Sequence, residues 1–78
     1  MAKLPRDADP RKVLRALERL GFVVDHVTGS HYAMVHREDP SRRATVPFHG
    51  KLSTGTLRAI LRETRVAVEE FIRVFIIL

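Results

Sequence analysis

The sequence predicts an α+β fold in which a three-stranded antiparallel sheet carries helices on one face. Three observations carry this. An amphipathic run is opened by Asp9-Pro10 and closed by Gly21; three short β-rich runs are separated by turn chemistry at Thr28-Gly29-Ser30 and at Asp39-Pro40; and helical periodicity returns from Leu57 to the C-terminus. Strands joined by such short turns pair as an antiparallel meander, and the flanking helices then cover one face of it.

In the first helix the Asp9 carboxylate can cap orphan backbone N–H groups, while Pro10 fits the first helical position without losing a needed donor. Val13, Leu14, Leu17 and Leu20 form its apolar stripe, and Gly21 ends it. Residues 22–27, Phe-Val-Val-Asp-His-Val, are β-branched and aromatic and make the first strand. The second strand runs from His31 to about His36. It alternates Tyr32, Met34 and His36 on one side with His31, Ala33 and Val35 on the other. With Tyr32 and Met34 facing the helices, His31 points away from the core onto an open sheet face. Residues 37–42 form a polar turn, and Arg43 to Pro47 make a short third strand closed by its proline.

After the loop Phe48-His49-Gly50-Lys51-Leu52, Ser53 caps a helix whose buried stripe is Leu57, Ile60 and Leu61. Arg58, Arg62 and Arg65 fall on a common side of it. Like charges at that spacing repel by a few tenths of a kcal/mol, so Glu63 or Glu69, RNA phosphates or an acidic partner would offset them. The chain bends near Val66 into a last helix with Val68, Phe71, Ile72, Phe75 and Ile76 at helical spacing. A helix so apolar is expected to cover the core on one side and to self-associate on the other.

Seventy-eight residues make one domain, residues 1–78, close to the lower limit for a core without staples. Cysteine is absent, which excludes disulfides and thiolate chemistry and fits a reducing compartment. The four histidines lack zinc-site spacing, and no metal or cofactor is expected. The N-terminal stretch from Met1 has no apolar run of signal-peptide length, and residues 71–78 are too few to span a bilayer, so the expectation is a cytoplasmic chain without a membrane partner. A net charge of +5, with eleven of fourteen cations arginine, favours an anionic partner, RNA or an acidic protein surface.

Thr28-Gly29-Ser30-His31-Tyr32 is the best candidate for a reactive centre, because a tight turn delivers an imidazole and a phenol at the start of a strand. Together with Thr45-Val46-Pro47, His49 two residues on, Leu52, and Gly55-Thr56-Leu57-Arg58 with Ile60-Leu61, it resembles the HicA (YcfA-like) family of toxins from type II toxin–antitoxin modules, over most of the chain from the first helix to Glu70. The resemblance implies a fold similar to double-stranded-RNA-binding domains, α-β-β-β-α. It implies an endoribonuclease (mRNA interferase) that cuts messenger RNA until a HicB antitoxin covers the site, and it places His31 where the family has its catalytic histidine. That antitoxin is expected to be acidic where it meets Arg58 and Arg62. Many members have a second histidine where this chain has Tyr32 and a polar cap where it has Ala67.

Physical chemistry agrees with that expectation. Metal-free RNA cleavage can use the substrate's 2′-hydroxyl as nucleophile, with a base to take its proton and cations to stabilise the phosphorane. A neutral imidazole serves as such a base at cellular pH. His31 is the expected base. Lys51 and the helix opening Gly55-Thr56 are candidate phosphate binders; His49 or Tyr32 is a candidate acid or base-stacking group, and Ser30, Arg58 and Arg62 complete the candidate RNA surface. His26 and His36 read as structural or surface residues. The competing functions are a non-catalytic RNA-binding domain of the same fold and an assembly protein joined through its last helix.

Overall fold

The computed structural model describes residues 3–78, so Met1 and Ala2, the start of the stretch read as lacking a signal sequence, lie outside it. The elements are α1 (Pro10–Arg19), β1 (Phe22–Thr28), β2 (His31–His36), β3 (Arg43–Pro47), α2 (Thr54–Thr64) and α3 (Val68–Phe75). The strands form one antiparallel sheet in the order β1-β2-β3, the α-β-β-β-α layout of double-stranded-RNA-binding domains with a third helix added.

Each boundary has a local cause. The Asp9 carboxylate accepts a hydrogen bond from the Arg11 N–H at 2.9 Å, with Pro10 at the first helical position. Gly21 leaves α1 with φ at +97°, a conformation that favours glycine, and a Cβ there would come within 2.8 Å of the His36 Nε2 atom and displace that ring. The ring of His36 stands edge-on to Phe22, centroids 4.9 Å apart, and its Nδ1 accepts from the Glu38 N–H, which makes His36 a structural residue. Between β1 and β2 the two-residue connection has its positive φ, +59°, on Gly29, the position that type II′ hairpin turns give to glycine.

The face carrying Phe22, Met34, Ala44 and Val46 packs on Val13 and Leu17 of α1, Leu57 of α2 and Phe71 of α3, all but Ala44 wholly or almost wholly inaccessible. Burying each large side chain contributes about 1.5–3 kcal/mol. The opposite face carries His31 and Val35 and has no helix over it, as the alternation in β2 predicts.

Three features go beyond the expected pattern. First, the pairing of β1 with β2 slips between Val24 and His26, so Asp25 is an extra, bulged residue. Second, α2 ends with Arg65 in the left-handed conformation, φ 57°. The Arg65 guanidinium then meets the Asp39 carboxylate at 3.1 Å and the Ser41 hydroxyl at 2.7 Å, while the Arg42 Nε donates to the Thr64 carbonyl at 2.8 Å. Asp39, and neither Glu63 nor Glu69, offsets the charge of Arg65. Third, α3 packs against α1 through Phe71 and Phe75, with the Lys12 ammonium 4.4 Å from the Phe75 ring centre, and exposes Ile76 and Ile77. Its N-cap, Ala67, supplies no side-chain bond, and Glu69 and Glu70 in the first turn are the residues that favour the positive end of the helix dipole. Among the described residues no helix is long and apolar enough to cross a membrane.

Candidate functional site

The end of the sheet where β1 turns into β2 gathers the candidate residues. Ser30 holds the turn, His31 opens β2, and Pro47 lies opposite His31 in β3. The Phe48 N–H donates to the Ser30 carbonyl at 2.6 Å, which swings the chain leaving β3 back over the hairpin. His49 is thereby set beside His31, rings edge to face with centroids 5.1 Å apart and planes at 68°. The Ser30 Oγ lies 2.7 Å from His49 Nε2. Both imidazoles are exposed. The result is two histidines from separate strand ends, one of them steadied by a serine hydroxyl, at the rim of an open sheet face.

The other candidates fall elsewhere. Tyr32 turns to the helix side of the sheet, half-buried, its ring 4.2 Å from that of Phe48, so it lies across the sheet from His31. Lys51 and Gly55 are exposed, but the Thr56 N–H is already taken by the Ser53 hydroxyl at 3.1 Å, so it is not an open anion donor. Arg58 lines a separate groove with Lys3, Arg6 and Glu69, beside the N-terminal segment that Ala8 pairs to Leu52. Among the described residues no hydrogen bond, ion pair or ring contact joins Lys51, Gly55, Thr56, Arg58 or Arg62 to His31 or His49.

Sequence reasoning passed over one further cluster. Because Asp25 is bulged, His26 pairs with Ala33 and Thr28 with His31, so His26 shares the open face with His31. The Asp25 carboxylate lies 2.7 Å from His26 Nδ1 and 3.5 Å from the Arg43 guanidinium. The hydrogen bond from His26 holds the Asp25 carboxyl below its ordinary value; desolvation opposes it, and the charges of His26 and Arg43 act in the same direction as the hydrogen bond.

Fold and site together define a small basic α+β protein of double-stranded-RNA-binding layout with an exposed histidine pair on its free sheet face. Residues 10–66, well over half of the chain, match the family described as HicA toxin of bacterial toxin–antitoxin systems. The chain belongs to that family, and with it to the toxins of toxin–antitoxin modules, whose plan includes an antitoxin partner. Comparison with curated proteins gives no match.

Proposed function

We propose that this toxin is an endoribonuclease acting on messenger RNA, with His31 as general base and His49 as the group that protonates the leaving oxygen. Neutral His31 takes the proton of the 2′-hydroxyl. The 2′-oxygen bonds to phosphorus, the bond from phosphorus to the 5′-oxygen breaks, and protonated His49 supplies that oxygen with its proton. The products are a 2′,3′-cyclic phosphate and a free 5′-hydroxyl. The observation that carries this is the His31–His49 ring contact on an exposed sheet rim: two groups that can each accept or donate a proton stand close enough to flank one phosphate. Ser30 is a positioning residue that fixes the His49 ring. Exposed Lys51 supplies positive charge for the RNA backbone, and residues 1–78 act as one unit. A HicB-like antitoxin is the partner that covers His31, with its acidic surface toward Arg58 and Arg62.

The test is cleavage of a mixed-sequence RNA in chelator by wild type and His31→Ala, with a 2′-deoxy copy alongside. Cutting by wild type alone, absent from the deoxy copy, is the expected result. Equal cutting by both proteins removes His31 from the chemistry. Binding without cutting by either makes the protein an RNA-binding module.

A further inference from the structure

The open sheet face continues beyond His31, and its next residues are not those of an idle surface. Ala33 is the smallest side chain on that face of β2, and with His26, Arg43 and Thr45 it lines an open depression of about 580 Å³ that continues round the edge of β3 to Ser41, Ala44 and Glu63. His26 is the diagonal neighbour of His31 across the β1–β2 pair, a relation that sets Cα atoms about 7–8 Å apart on one face. The bulge at Asp25 produces this arrangement. Without the extra residue, His26 would continue the alternation of Phe22 and Val24 and lie on the helix side.

Of the three arginines Arg42, Arg43 and Arg65, Arg43 is the one that lines the depression. Arg42 bonds the Thr64 carbonyl and lies over the Phe22 ring, and Arg65 is held by Asp39 and Ser41. Arg43 reaches onto the open face, where its contact with Asp25 at 3.5 Å is exposed on both sides. A contact this exposed to solvent is weak and leaves the guanidinium able to meet a phosphate. Asp25 also holds His26 through Nδ1, so the imidazole is steadied where it lines the depression with Ala33.

We infer that the depression between His26 and Arg43 is a subsite for the nucleotide adjoining the scissile phosphate, with Arg43 on its phosphate and the His26 ring against its base. A single-stranded nucleotide suits this site better than an acidic peptide does. The small Ala33 side chain leaves room beside the His26 ring, and Glu63 in the lining and Asp25 next to Arg43 repel a continuous run of carboxylates while one guanidinium meets one phosphate. The assignment rests on the ribonuclease function proposed above.

The experiment is an amide-resolved NMR titration of the full chain with a 2′-O-methyl trinucleotide, which binds and cannot be cut, repeated on Arg43→Ala and His26→Gln. The expected result is movement of His26, Ala33, Arg43 and Thr45 resonances together with those of His31 and His49. Arg43→Ala should weaken binding three- to tenfold and lower the slope of log K against log salt by about one. Shifts confined to His31 and His49, with affinity unchanged in both variants, overturn the subsite and leave the ribonuclease assignment standing, whether or not Arg43→Ala weakens an acidic protein partner. No shifts anywhere overturn both.

Discussion

The imidazole of His31 stands edge-on to that of His49, centroids 5.1 Å apart, although one opens β2 and the other lies in the loop beyond β3. In the proposed mechanism the two exposed rings flank one phosphate. His31→Ala should therefore keep the fold and lower RNA cleavage by roughly 10²- to 10⁴-fold, the usual worth of a general acid–base group. His49→Ala should fall in the same range, and the double variant should be little worse than either alone, because groups acting as a unit are not additive. Fully additive losses in initial cleavage rates would show that the two rings act independently.

The order and approximate limits of all six elements were legible because each is punctuated by chemistry that acts locally: Asp9-Pro10, Gly21, Gly29-Ser30, Asp39-Pro40, Ser53 and the break near Val66. The outward aim of His31 was legible too, since alternation in β2 is unbroken and Met34 had to be buried. What alternation cannot reveal is a bulge, which depends on how two strands pair and not on either strand alone. For that reason His26 read as a bystander. The roles of Arg42 and Arg65 were hidden for a similar reason: their partners, Thr64, Asp39 and Ser41, lie across the fold from them.

Gly21 and Gly29 both have positive φ but differ in their surroundings, which predicts different costs. A Cβ at Gly29 meets nothing within 4 Å, whereas one at Gly21 meets the His36 ring at 2.8 Å. Gly29→Ala should lose only the backbone preference, about 1–2 kcal/mol. Gly21→Ala should lose that plus the displacement of His36 from Phe22, about 3 kcal/mol in all. Urea midpoints with unchanged m-values would measure both; equal shifts would show that the His36 contact contributes nothing.

Asp39 ties the loop of residues 37–42 to the end of α2, and this contact gives a pH dependence of known sign. The Ser41 hydroxyl holds the Asp39 carboxyl below its ordinary value of 3.8; desolvation opposes it, and the Ser41 N–H and Arg65 add to the lowering. A carboxyl lowered in the folded state stabilises it above the ordinary value, and that contribution disappears as pH falls through the lowered one. Wild type should thus be more stable than Asp39→Asn at neutral pH, and the gap should close as pH falls below 3.8. A gap that stays constant in urea unfolding down to about pH 2 would assign the effect to shape and not to charge.

Self-association through the last helix is expected to depend on its exposed tip and not on its buried face. Phe71 is wholly buried and Phe75 nearly so, whereas Ile76 and Ile77 are 67% and 69% exposed. Removing residues 71–78 would therefore strip the core before it tested assembly. Phe71→Ala alone should cost about 3–5 kcal/mol through the cavity it leaves, a large part of the stability of so small a fold. The double variant Ile76→Ser, Ile77→Ser removes exposed apolar surface while leaving Phe71 and Phe75 against α1. In sedimentation equilibrium the wild-type mass should rise with concentration, and that of the double variant should stay at the 8.9 kDa of one chain. Matching curves for the two proteins would show that these isoleucines do not join copies of the toxin.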